Sequence, residues 1–243
     1  MKAFEKTRQK TQIVLWLVLL LNVCFWYGAR DILPKWPGVP PAPSEKSAET
    51  GALGDKQFAY RIWALSLQNF GDTGGQSTSL KDYDYTKLDP WFGLLRKMDP
   101  NSDHISLILA YYFGAVRERP ESTKIVVKHL SEMGDTNKGD KWRWLAQAAF
   151  LAKHQLNDLP YALELAERLA KLEPEGGKLP LWARQMPMIL HADMGEKEMA
   201  IALIEGLLFG DNNIHPNEIN FMLSFLEDRL GVNVAERYGL SYK

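Results

Sequence analysis

The chain has 243 residues and a formal net charge of −1 at pH 7. Four of its basic residues lie within the first ten positions, so the remainder is net acidic and lacks the basic footprint of a nucleic-acid-binding protein. Its single cysteine, Cys24, excludes an intramolecular disulfide and a thiolate metal cluster within one chain.

The N-terminal stretch has the pattern of a membrane anchor. Lys2, Lys6, Arg8 and Lys10 precede a continuous apolar run with aromatic residues near its ends. We assign residues 1–11 to a basic cytoplasmic tail and residues 12–30 to a transmembrane helix, whose length is near the lower limit of about 17 to 25 residues. Basic residues stay on the cytoplasmic side, so we expect a single-pass protein of the inner (cytoplasmic) membrane with a periplasmic C-terminal domain.

Two other interpretations of this stretch compete with a retained anchor. A cleaved signal peptide needs small residues before the cut, and Tyr27 and Ala29 fit that requirement poorly. A lipoprotein signal around Cys24 needs a small residue before the cysteine, where this chain has Val23. Both are less consistent with the residues than an anchor that stays attached.

A proline-rich segment follows, with prolines at 34, 37, 40, 41 and 43. We assign residues 31–54 to an extended linker, because such sequences favour polyproline geometry at about 3.1 Å per residue. Residues 55–243 then form one domain without strand-like alternation, which predicts an all-α fold. In its first helix, about residues 56–70, we expect Phe58, Ile62, Leu65 and Leu67 to face the core. A glycine-rich insert over residues 69–85 comes before the next helix.

Residues 141–174 predict two amphipathic helices joined by a short corner at residues 157–160. In the second helix Ala162, Leu165, Ala166 and Leu169 share one face, while charged residues take the other. The helix ends before Pro174, since proline lacks the amide and disfavours helical geometry in the residue before it. The sequence therefore predicts a helical hairpin that needs stacked neighbours to bury its apolar faces.

The hairpin resembles a tetratricopeptide (TPR) repeat. That family pairs a helix carrying W-x2-L-G with a second helix carrying a fixed alanine and a closing proline, and Trp142, Leu145, Ala146, Ala162 and Pro174 stand in comparable places. Further hairpins recur at roughly the 34 to 40 residue period of such repeats. First helices are predicted to begin near Asp103, Lys141, Pro180 and Pro216, and second helices near Glu121, Asp158 and Glu196. The resemblance, to membrane-anchored bacterial TPR-like proteins, implies a TPR-like α-solenoid of helical hairpins and a scaffold or assembly role.

A solenoid of this kind offers a surface made by the first helix of each pair. Tyr111, Arg143, Gln147 and Arg184 are our candidates for contacting a protein partner there. The five histidines are scattered without H-E-x-x-H spacing, so we predict no metal site and no cofactor. The sequence thus predicts a non-enzymatic interaction scaffold or assembly factor of a bacterial envelope complex.

Two alternatives to this function remain open at the level of sequence. Glu121-Ser122 is similar to the Glu-Ser pair of lytic transglycosylases, which are exported helical enzymes acting on peptidoglycan; here it stands at a helix start, where the helix dipole explains an acidic residue. A purely structural subunit of a membrane complex is the other alternative. Its important contact would be made in the membrane, where Asn22 can hydrogen-bond a partner helix.

Overall fold

The computed structural model describes residues 2–30, 38–73, 76–210 and 214–239. These residues form α-helices, short 3-10 and π turns, and one two-residue antiparallel β pair, so the predicted all-α class is confirmed. The elements are α1 (Lys2–Ala29), α2 (Glu45–Gly51), α3 (Lys56–Leu67), β1 (Asp72–Thr73), β2 (Gln76–Ser77), a 3-10 turn (Leu80–Asp82), α4 (Tyr85–Met98), α5 (His104–Tyr111), a 3-10 turn (Phe113–Ala115), α6 (Pro120–Gly134), α7 (Trp142–His154), α8 (Leu159–Ala170), α9 (Leu181–Asp193), α10 (Lys197–Gly210), α11 (Pro216–Ser224), a π turn (Phe225–Arg229) and α12 (Val234–Tyr238).

Helix α1 contains one segment, Lys10–Ala29, that is long and apolar enough to cross a membrane by length and composition. Its large apolar side chains between Ile13 and Tyr27 are exposed. An N-terminal signal sequence can pass the same test of length and composition, so α1 by itself does not distinguish an anchor from a cleaved leader.

The helices that were predicted from the sequence begin where expected. Helices α5 to α11 start within one residue of the predicted positions, at His104, Pro120, Trp142, Leu159, Leu181, Lys197 and Pro216. From α6 to α10 each helix packs mainly against its neighbours in the chain. Local sequence patterns therefore located these helices correctly.

Alternate helices lie side by side and run in the same direction. Contacts between their corresponding ends show this arrangement. Between α5 and α7, the Trp144 indole donates to Asp103 at 2.8 Å near the helix starts, and Gln155 donates to the Gly114 carbonyl at 2.8 Å near the ends. Between α7 and α9, the rings of Trp142 and Trp182 are 5.6 Å apart. At the C-terminal ends of α7 and α9, Lys153 and Asp193 form an ion pair of 2.6 Å.

Further ties extend both series of helices. Helix α3 runs beside α5, since Tyr60 donates to Ser102 at 2.8 Å and Tyr112 donates to the Gln68 carbonyl at 3.1 Å. Helices α4 and α6 are joined by ion pairs from Lys128 and Arg96. We call α3, α5, α7 and α9 the first helices, and α4, α6, α8 and α10 the second helices.

The expected core face of α3 is wrong at three of its four positions. Phe58, Ile62 and Leu65 are exposed, and only Leu67 is buried. Instead, the residues Ala59, Tyr60, Ala64 and Leu67 face the core. Because alanine lets neighbouring backbones approach closely, the small residues form the packed side of this helix, and the larger apolar ridge is left on its surface.

The second half of the predicted linker packs on the domain. Val39 is buried, and the Pro40 carbonyl accepts a hydrogen bond of 2.8 Å from the indole of Trp91. Helix α2 follows and buries Ala48. We call residues 38–52 the strap. The predicted linker over 31–54 is therefore not an extended spacer throughout, and its residues 31–37 lie outside the described residues.

Two apolar clusters form the interior of the described part of the domain. The larger one extends from the strap to α9 and includes Trp91, Phe92 and Phe113. The smaller one joins α9, α10, α11 and α12 around Ile204 and Leu226. Helix α9 contributes to both clusters, so the C-terminal helices are attached to the rest through that helix.

We predict that Gly134→Ala lowers the free energy of unfolding by about 2 to 3 kcal/mol. A Cβ at Gly134 would lie 2.1 Å from the backbone nitrogen of Leu145, so α6 and α7 would have to move apart. Urea denaturation of the full-length protein in detergent, followed by circular dichroism, measures the change. Gly93→Ala is the matched control: a Cβ there meets nothing within 4 Å, and a gain of up to about 1 kcal/mol is expected. Equal stability of the two variants would contradict the close approach.

We also predict that Trp91→Phe releases the strap. Phenylalanine preserves much of the ring packing against Trp63 and Phe70 but removes the donor to Pro40. The loss of about 1 kcal/mol should raise tryptic cleavage after the exposed Lys46 roughly fivefold. Trp182→Phe, at an exposed tryptophan, is the control. Unchanged cleavage in Trp91→Phe would show that this hydrogen bond does not hold the strap.

Candidate functional site

The first helices present a common outward surface. Each is covered on its inner side by second helices and flanked by neighbouring first helices, so one stripe of each remains open. We call this surface the first-helix face. Its members from α5, α7 and α9 are Leu107, Tyr111, Arg143, Gln147, Phe150 and Trp182, and its members from α3 are Phe58, Ile62 and Leu65.

Large apolar side chains dominate this face. Tyr111 is 67% exposed, Phe150 50% and Trp182 48%. A small apolar cleft of about 110 Å³ lies between α7 and α9, lined by Phe150, Met186 and Ile189 with His154 at its edge. Small-molecule sites occupy roughly 300 to 1,000 Å³, so this cleft suits a single side chain of a larger partner.

The surface of the second helices has a different character. Its exposed residues on α6 and α8 are charged, as in Lys124, Lys128, Glu132, Glu164 and Glu167. Several form ion pairs within or between second helices, for example Lys128 with Asp89 at 3.2 Å. A charged surface of this kind is readily solvated. The two sides of the domain thus differ, and the apolar one is the candidate site.

Three of the four predicted contact residues lie on the first-helix face, with Tyr111 at the end of α5 and Arg143 near the start of α7. Tyr111 is exposed on α5, and Arg143 and Gln147 follow one another by one turn on α7. The Arg143 guanidinium donates to the Asp140 carbonyl at 3.1 Å and lies 5.9 Å from the centre of the Trp144 ring. Partner binding by these residues stays a prediction.

Arg184 lies apart from the other three. It follows Trp182 by two residues on α9, which places it on a different side of that helix. There it lines a cleft with Leu172, Glu173 and Lys178 beside the end of α8. Its role in partner binding is likewise untested, but any such contact would belong to a separate surface.

Sequence reasoning missed Leu107, Phe150 and Trp182 as members of this face. A signal for Phe150 was present, because Arg143, Gln147 and Phe150 have the i, i+4, i+7 spacing of one helical stripe. An exposed apolar residue cannot be separated from a core residue by that spacing alone. The exposure of all three became evident only from the packing of neighbouring helices.

Glu121 is placed in the first turn of α6, with its side chain 84% exposed and paired to Lys124 at 3.1 Å. A glutamate that acts as a general acid at neutral pH needs an apolar pocket that excludes water. Glu121 borders a cleft of about 450 Å³ with Tyr85 and Ile125, but its carboxylate stays exposed to water there. Its position matches the capping and dipole explanation instead.

A buried histidine and carboxylate pair joins α4 to α6. The His129 ring nitrogen Nε2 lies 2.6 Å from Asp89, while its Nδ1 has no hydrogen-bond partner among the described residues. Burial lowers the pKa of His129, and Asp89 offsets this only in part. Burial alone would raise the pKa of Asp89, but hydrogen bonds from His129 and Lys128 outweigh it and the pKa lies below its ordinary value.

This pair has a structural role in the packing of α4 on α6. The His129 and Phe92 rings contact each other edge to face at a centroid distance of 5.4 Å, inside the core. In the described part of the chain, no three His, Cys, Asp or Glu residues are grouped so that they could hold a metal ion. No protein-family model matches the chain, and neither a curated protein nor a solved structure matches it.

The lowered pKa of His129 predicts a pH-dependent stability. Below about pH 6.5 the unfolded chain binds a proton at this histidine more readily than the folded one, so stability should fall as the pH falls through this window. His129→Gln should reduce that slope in urea denaturation measured from pH 7 to pH 5, and His154, whose pKa is also lowered by burial, should account for part of what remains. His104→Gln, at a half-buried histidine outside the pair, is the control. An unchanged slope in His129→Gln would contradict the assignment.

Proposed function

We propose that this protein is a membrane-anchored, non-enzymatic scaffold or assembly factor of a bacterial envelope complex. In this proposal α1 crosses the inner membrane, its basic N-terminus stays in the cytoplasm, and the helical domain lies in the periplasm. The domain is a TPR-like solenoid, and its first-helix face binds a protein partner.

The observation that carries the proposal is the asymmetry between the two sides of the domain. Apolar side chains of large size, such as Phe150 and Trp182, remain exposed on adjacent first helices, whereas the exposed side chains of α6 and α8 are mainly charged. Among the second helices, α10 also exposes Met199 and Phe209. Contiguous apolar surface on a folded domain is costly in water and commonly marks an interaction site. The apolar cleft on this surface, at about 110 Å³, is smaller than the roughly 300 to 1,000 Å³ of small-molecule sites, which favours a macromolecular partner for it.

The solenoid assignment is supported by helix order and by the ties between alternate helices. Helix starts recur at the expected period, and α3, α5, α7 and α9 run side by side in one direction. Stacked hairpins have this arrangement, because each hairpin buries its apolar face only against the next. Membrane anchoring is supported by the length, apolar character and exposure of α1.

The structural-subunit alternative makes α1 the important contact and the domain a spacer. We favour the first-helix face because a spacer has no need of exposed aromatic residues. A transglycosylase activity is not proposed, because Glu121 is exposed to solvent.

In-membrane crosslinking of the full-length protein, followed by mass spectrometry, tests the proposed function. We expect specific protein partners that disappear when the chain is truncated before Gly38, which removes the strap together with the domain it packs on. The combined variant Tyr111→Ala, Phe150→Ala and Trp182→Ala should lose them as well, by about tenfold, since aromatic anchors at an interface contribute 1 to 2 kcal/mol or more.

A matched variant on the second helices serves as control. Lys124→Ala, Glu164→Ala and Glu167→Ala change three exposed residues there and should leave the partners in place. Partners that survive the truncation would contradict the proposal and favour contact through α1. Equal losses in the two triple variants would show that the first-helix face is not the binding surface.

A further inference from the structure

The first helices are almost free of acidic residues. Helices α3, α5 and α7 contain no Asp or Glu, and α9 contains only Asp193 at its last position. Each second helix, by contrast, contains at least one acidic residue. First and second helices alternate along the chain, so this difference in acidic residues separates the two sides of the domain and not its two halves.

Two exposed arginines carry positive charge on the side of the first-helix face: Arg143 is a member of the face, and Arg61 adjoins its member Ile62. Arg61 is exposed on α3 beside Ile62. Arg143 is exposed on α7, in the same helical stripe as Phe150, which lines the cleft. Within the described ranges neither one forms an ion pair. Lys153, in contrast, is paired with Asp193, whose carboxylate also binds Arg229 at 2.7 Å.

We propose that the first-helix face binds an amphipathic helix of a partner protein, with apolar side chains directed into the face and acidic residues along its flanks. This inference rests on the proposed function and specifies the partner. Apolar anchors of such a helix recur at i, i+3, i+4 and i+7, and can enter the cleft between α7 and α9 one side chain at a time.

A helix fits this face better than an extended peptide. The backbone of an extended segment needs hydrogen-bond partners from the surface that holds it, whereas a helix satisfies its backbone internally. Apart from Arg143 and Gln147, the residues that define this face are apolar, so they offer few hydrogen-bond partners to an extended backbone. Acidic flanks would pair with Arg61 and Arg143. The same two arginines would repel partners with basic flanks.

Site-specific photocrosslinking of the full-length chain in its native membrane tests this inference. A photoreactive phenylalanine at position 150 probes the first-helix face, and the same residue at position 164 probes the second helices. We expect position 150 to capture a protein segment with apolar residues at helical spacing and an excess of Asp and Glu. Position 164 should not capture that segment.

Charge reversal supplies the second measurement. Arg61→Glu with Arg143→Glu should lower capture about tenfold, whereas Lys124→Glu with Lys171→Glu, two matched reversals on α6 and at the end of α8, should change it little. A synthetic peptide with the captured sequence should bind the detergent-solubilised full-length protein about tenfold more tightly than its Asn and Gln counterpart.

The possible outcomes separate this inference from the proposed function. A captured protein segment without acidic excess, or one indifferent to the arginine reversals, overturns the inference and leaves the scaffold function standing. Adducts to lipid alone make the face a membrane-contacting surface and contradict both. Adducts to a second copy of this chain, or no adduct at position 150, overturn the inference.

Discussion

Close contact between consecutive helices is the interaction on which the rest of the domain depends. At Gly134 the backbone of α6 approaches Leu145 of α7 so closely that a Cβ would not fit. Alanines with no exposed surface, such as Ala148 and Ala162, continue this pattern into α7 and α8. Small residues bring the helix axes together, and larger apolar residues fill the space between hairpins. Because neighbouring helices pack so closely, alternate helices also come within contact distance, and the hydrogen bonds and ion pairs between their ends can form.

Those ties leave the first and the second helices with two unlike surfaces. The second helices carry ion pairs between Asp89 and Lys128 and between Asp135 and Arg168, which hold them together while keeping their exposed side solvated. First helices are joined mostly at their ends, by contacts such as Asp103 with Trp144. The middle of each first helix is left open, and its exposed side chains are mainly apolar. The proposed binding function follows from this difference rather than from any catalytic group.

The strap relates the domain to the proposed anchor. Only residues 30–37 separate α1 from Gly38, and an extended chain spans at most about 3.3 to 3.6 Å per residue, so the domain cannot lie more than roughly 30 Å from the end of α1. The hydrogen bond from Trp91 to Pro40 holds the strap on the domain, so only the residues before Gly38 can act as a linker. If α1 is anchored as proposed, the strap at Gly38 lies within that distance of the membrane surface.

The sequence by itself determined the all-α class, the starts of the repeated helices and the apolar N-terminal segment, because these depend on local periodicity, proline positions and composition. It also located Tyr111, Arg143 and Gln147 on the first helices. Tertiary structure alone decided which apolar residues are buried: Phe58, Ile62 and Leu65 have the spacing of a core stripe but lie outside, because Ala59 and Ala64 form the contact face. The docking of the strap and the separation of Arg184 from the first-helix face were decided in the same way. Burial depends on which neighbours approach a helix, and helical periodicity carries no information about them.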